Sequence, residues 1–183
     1  VKESQLISKA VELVNASMVR LYSRGESPVF LGLGMVVDSS GTIVGDAGMW
    51  SEGVADTTAE LPDKTAVHAT VSSNDAAAGS GLVFFSTATS TTDGKPVVWT
   101  PVAIASGHSM LGETVVMLAR KSIVRIAAGI ITAINAATSD SPEIIETDIA
   151  PGSILSGSPL IDSDGSLLGI STSLSRASSP SSF

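Results

Sequence analysis

The chain has 183 residues, 43% of them hydrophobic and 15% charged, proportions that fit a globular domain with a real core and exclude wholesale disorder. A formal charge of −8, spread without acidic runs, disfavours nucleic acid and anionic lipid as partners. There is no cysteine, so a disulfide framework or a thiolate metal site is excluded, while the redox compartment stays open.

The first predicted element is a helix. From Lys2 to Val14, KESQLISKAVELV sets Leu6, Ile7, Ala10, Val11 and Val14 on one stripe, with Glu3, Lys9 and Glu12 elsewhere, which predicts packing on the body of the domain. β-rich runs then recur about every ten residues: MVRLYS, VFLGLGMVVD, TIVG, AVHATVS, GLVFFST, VVWTPVAIA, TVVMLA, SIVRIAAGIITAI, EIIETDI, PLID and LLGISTS. SSGT at 39–42, TDGK at 92–95 and DSDGS at 162–166 carry the glycine chemistry of reversals between strands. Many short strands with one helix predict an all-β fold of barrels or sandwiches, and the absence of a fixed repeat excludes a propeller or solenoid.

The longest apolar stretch, IAAGIITAINAA from Ile126 to Ala137, follows Arg120, Lys121 and Arg125 and is shorter than the roughly 18 residues a membrane span needs. It reads as a core strand, and no membrane span is expected. The closing SRASSPSSF has no apolar periodicity, so residues 176–183 read as a Ser-rich frayed tail or linker after a domain spanning 1–175. A start at Val1 with no basic-then-apolar leader reads as an excerpt of a longer protein.

Five stretches, in order, carry a resemblance. ASMVRLYS at 16–23, GLGMVVDSSGTIVGDAGMW at 32–50, ELPDKTAVHATV at 60–71, GETVVMLA with SIVRIAAGIITAI, and TDIAPGSILSGSPLIDSDGSLLGIST at 147–172 together resemble the trypsin-like serine proteases, most closely the HtrA (Deg) branch. The resemblance implies two packed six-stranded antiparallel β-barrels preceded by a short helix. It also implies an extracytoplasmic setting, periplasmic or at the cell surface, and a homo-oligomer.

Laid on that pattern, Ser156 takes the place of the nucleophile, and Gly48 falls where the family has its histidine. The aspartate position falls near Gly79–Gly81, and Asp75, several residues upstream, is not its equivalent. The oxyanion loop is changed as well, with Ile154 for a glycine, Leu155 before the serine, Gly157 after it, and Ser158 for a second glycine. A serine hydroxyl attacks a carbonyl only when a positioned base takes its proton, and losing serine or histidine from a triad costs on the order of 10⁶ in turnover. The residues thus read as a relic nucleophile in a pseudoprotease.

Other chemistry finds less support. His68 reads as a half-exposed strand residue and His108 as a surface-turn residue, and nothing places either, or Lys121, beside Ser156. The DSDGS turn lacks the glutamate that a calcium loop needs, since Ser173 stands at its twelfth position. The histidines have no zinc spacing, and GLGMVV is no phosphate-binding fingerprint. No metal or other cofactor is expected. The functional expectation is a catalytically inactive domain that binds or scaffolds a polypeptide partner. The alternative is a serine endopeptidase whose site is non-standard or is completed by a partner, and a third reading is a purely structural assembly domain.

Overall fold

Large apolar residues alternating with small or polar ones roll the first half of the chain into a closed barrel. The computed structural model describes residues 2–49, 56–74 and 79–183. Six antiparallel strands, β1 (Met18–Ser23), β2 (Phe30–Val36), β3 (Ile43–Asp46), β4 (Asp56–Glu60), β5 (Ala66–Asn74) and β6 (Leu82–Thr87), run in the order β1-β2-β3-β6-β5-β4 and close through β4 onto β1. Val19, Leu21, Ile43, Val67, Val83 and Phe85 fill the interior. Gly34 has to be small, because a Cβ there would sit 2.5 Å from Ile43 Cγ2. β4 was not among the predicted runs. Its sequence, DTTAE, has no large aliphatic residue, and only Thr57 and Ala59 turn inward.

The second half forms a curled sheet in the order β11-β10-β7-β8-β9, from β7 (Thr114–Arg120), β8 (Val124–Asn135), β9 (Ile144–Thr147), β10 (Pro159–Ile161) and β11 (Leu167–Ile170). Beside β11 lies the extended segment 102–105, with the Leu167 N–H on Ala103 O at 2.7 Å and the Ala105 N–H on Leu167 O at 3.0 Å. The Val102 N–H reaches back to Val36 O of the first barrel at 2.8 Å. The predicted run 97–105 therefore ties the halves together without becoming a regular strand, since Pro96 and Pro101 have no N–H for a ladder. The result is the expected all-β double-barrel architecture, with a closed six-stranded first barrel and a curled second sheet of five regular strands where six were expected.

Helix α1 (Lys2–Asn15) packs on β7 with Ala10 and Val14 buried and Ile7 and Val11 half-buried, while Leu6 stays largely exposed. The predicted turns also form: Gly41, Gly94 and Gly165 take positive φ, and the Asp162 carboxylate accepts from the Asp164 and Ser166 N–H groups at 2.9 Å. Among the described residues no helix is long and apolar enough to cross a membrane.

Two expectations are corrected. β8 is not a core strand: of its residues only Ile131 is fully buried, because β9 is short and covers only the strand's second half. Nor do residues 176–183 fray. A second helix, α2 (Ser173–Ser178), starts with a capping box in which the Thr172 side chain accepts from the Ser175 N–H and the Ser175 side chain accepts from the Thr172 N–H. Beyond it Phe183 is buried and exchanges two backbone hydrogen bonds with Ile145, each 2.9 Å. Serine supplied caps here rather than disorder.

Candidate active site

β3 ends on Asp46, whose side chain is 1% exposed at the junction of the two halves. Oδ1 accepts from the N–H groups of Gly48 at 2.8 Å and Ser173 at 3.0 Å. Oδ2 accepts from Ser156 Oγ at 2.7 Å and from the Arg176 guanidinium at 3.0 Å. Arg176 also donates to Ser171 Oγ at 2.7 Å. An ionised carboxylate has about four acceptor sites, and all are filled here. Burying this charge is tolerable because it is both paired and fully hydrogen-bonded.

Asp46 and Arg176 were missed by sequence reasoning. Asp46 closes an otherwise apolar strand two residues before Gly48, and Arg176 is the only basic residue after Arg125; both are signals of buried pairing that the sequence does carry. Sequence reasoning put no partner beside Ser156, and the structure puts the Asp46 carboxyl group there. Ser156 is one of four donors that converge on this carboxyl group, with Gly48, Ser173 and Arg176.

Gly48 and the stretch Gly79–Gly81 lie together, and Ser156 reaches them only through Asp46. Asp46, Gly48, Gly79, Gly81, Ser173 and Leu174 line one shallow cavity of about 260 Å³. Where the resemblance expects imidazole and carboxylate, these positions present mainly backbone. A Cβ built on Gly48 would overlap Ser173 Oγ, so α2 occupies the space a larger residue at 48 would need. Gly81 likewise lies against Leu174, and its carbonyl accepts from the Ala47 N–H at 2.9 Å. Asp75 lies outside the described residues.

The serine loop is held by its own bonds. A 3-10 turn over Pro151–Ser153 engages the Ile154 N–H on Pro151 O at 3.2 Å, and Ile154 is extended at φ −87° and ψ 126°. The Leu155 N–H donates to Ser158 Oγ at 2.8 Å, so the serine that replaces a glycine braces the loop from inside. Gly157 takes φ 80° and packs on the Leu33 backbone, where a Cβ would overlap Leu33 O. The Leu33 N–H in turn donates to Ser156 O at 2.8 Å. One of the two amides that an oxyanion site would use, that of Ile154, is therefore already engaged.

The alternative bases lie elsewhere. His68 is on β5, 3.4 Å from Asp56. His108 is exposed in the segment before β7, and Lys121 follows β7. Among the described residues none of the three is hydrogen-bonded to Ser156, and no group of residues is arranged to hold a metal ion.

Comparison with known proteins agrees with this architecture. Residues 32–170 match the family model described as "Trypsin-like peptidase domain". The solved structure titled "Crystal structure of Deg5" superposes with a TM-score of 0.76 at 19% identity, over 94% of this chain and 87% of that one, a likeness of fold. No curated protein matches the sequence. The matched span includes Asp46, Gly48 and Ser156 and stops at Ile170, before α2.

Proposed function

The chain belongs to the trypsin-like peptidase domain family, and on that premise we propose that it has given up hydrolysis and works as a protein- or peptide-binding and scaffolding module. The observation that carries this reading is the occupation of the histidine position: Gly48 is backed by Ser173, and the Ser156 hydroxyl proton points at Asp46, which is held by three further donors. Acyl transfer needs a base able to take the serine proton and then return it to the leaving group. A carboxylate neutralised by Arg176 and locked in the core can orient that proton but has no freedom to shuttle it. The segment after β11, beside the serine loop, has its backbone groups engaged within the chain, which supports the same reading. Ser171 is bonded both ways with the loop, and Thr172 is consumed by the cap of α2.

One contact favours the other reading, a serine endopeptidase with a non-standard or partner-completed site: the short hydrogen bond from Ser156 to a carboxylate. The two readings separate in one experiment. The full chain is incubated with casein and with a fluorophosphonate probe, alongside Ser156→Ala. The module reading expects no cleavage and no labelling in either protein. Hydrolysis or labelling that Ser156→Ala abolishes would overturn it.

A further inference from the structure

Among the described residues the second sheet leaves one of its edges open. β8 pairs with β7 along Val124–Ile130, but β9 covers only the stretch from Ile131 to Asn135 on its other side. The direction of the free backbone groups follows from the neighbouring bonds. Ile131 bonds towards the β7 side, through Gly112 N and Glu113 O, whereas Ile130 bonds the opposite way, to the Asp148 N–H and side chain. Successive residues of a strand alternate in this respect, so Val124, Ile126 and Ala128 present their N–H and C=O outward. None of these groups has a hydrogen-bond partner among the described residues. The side chains flanking this edge are apolar and exposed, Val124 at 39% and Ile126 at 49%.

The charge at this edge runs against the charge of the whole chain. Lys121 and Arg125 stand at the mouth of a cavity of about 430 Å³ between the β7–β8 hairpin and the serine loop, over a floor that includes Met117, Ala119 and Leu155. Among the described residues neither cationic side chain has an ion-pair partner. Behind them Arg20 donates to Lys121 O and is paired with Glu60, and Arg120 donates to Met18 O and Asn15 Oδ1, so the uncompensated positive charge at the edge is that of Lys121 and Arg125. The surface is thus an apolar-flanked sheet edge with two cations at its Val124 end, Lys121 and Arg125, and the Asp148 carboxylate at its Ile130 end, on a chain of net charge −8.

We propose that the β8 edge at 124–128 is the binding surface of the module, and that it takes an extended acidic peptide as an added strand. Backbone pairing to Val124, Ile126 and Ala128 supplies the affinity. Selectivity comes from alternation. Residues of the incoming strand on the face of Val124 and Ile126 are aliphatic, while those on the face of Arg125 are Asp or Glu. A second copy of this chain fits less well, since a two-fold pairing centred on Ile126 would set two Arg125 side chains on diagonal positions about 7–8 Å apart. The inference rests on the binding-module reading for its purpose, but not on the loss of catalysis.

The test uses the full chain and the peptide acetyl-Ser-Val-Glu-Val-Glu-Val-Ser-amide, with a version carrying Lys for Glu as control, at low ionic strength. Saturable binding of the acidic peptide is expected, with amide shifts centred on 121–130 and affinity at least about tenfold above the control. Arg125→Glu, at an exposed position, weakens binding about tenfold. Ile126→Pro removes an outward N–H without touching the β7 ladder, and it abolishes binding while circular dichroism stays unchanged. Equal binding of both peptides, shifts centred elsewhere, self-association through 124–128, or no saturable binding would each overturn the proposal. The last result would leave the exposed cations as guards against aggregation. Cleavage of the peptide would sink the pseudoprotease reading and leave the edge intact, whereas absence of binding without cleavage sinks only the edge.

Discussion

The two halves of the molecule solve the same closure problem differently. The first barrel joins β4 to β1 and completes itself from its own strands. The second sheet enlists pieces that are not strands: segment 102–105 beside β11, the last residues beside β9, and α2 against the 3-10 turn after β3. Even so, it leaves part of β8 bare. A self-closed barrel hides all its backbone groups, while a sheet completed by borrowed segments keeps places where another chain can enter. The difference puts the open edge in the second half, while the space beside Gly48 is filled at the junction, by α2 of the second half packing on the turn after β3 of the first.

That contrast can be broken by mutation. The largest effect is expected at Phe183, which is 5% exposed and seals the β9 side of the second sheet. Phe183→Ala should cost about 3–5 kcal/mol in urea unfolding. An unchanged midpoint would mean that the sheet does not depend on its terminal segment. Next comes the junction, where Gly48→Ala forces a methyl group into Ser173 and should cost about 1–3 kcal/mol. Adding Ser173→Gly should restore most of that loss. A Gly48→Ala protein as stable as the parent would remove the argument that α2 fills the space beside Gly48.

The smallest effect belongs to the self-closed barrel. In the turn between β2 and β3, hydrogen bonds from Thr42 and Ser40 hold the Asp38 carboxyl down to about 2, from an ordinary 3.8. Because the folded value is the lower one, this contribution is complete above the unfolded value and is lost as pH falls from about 4 towards 2. Stability measured through that window should decline less steeply in Asp38→Asn than in the parent. Equal slopes would show that the turn does not feel the charge. The effect is modest because the group is largely solvated.

Where the sequence was legible, the reason was local. MVRLYS coincides with β1, and TVVMLA and GLVFFST fall within a residue of β7 and β6, because β-branched and aromatic runs between glycine turns have few other uses. DTTAE hid β4, since its pairing to β1 and β5 comes from tertiary context rather than from its own residues. Apolar IAAGIITAI was mistaken for core because burial depends on which neighbours arrive, and β9 is only four residues long. The site was half visible. The motif around Ser156 marks where the junction lies, but the link between Asp46 and Arg176 spans most of the chain, and no periodicity announces a contact of that kind.

The bond between Leu33 and the serine loop has an evolutionary corollary. Gly157 is demanded by the backbone it presses on, and Ser158 by the amide it braces, so both would be kept by selection for folding alone. A signature such as SGSPL is thus maintained by architecture whether or not turnover depends on it.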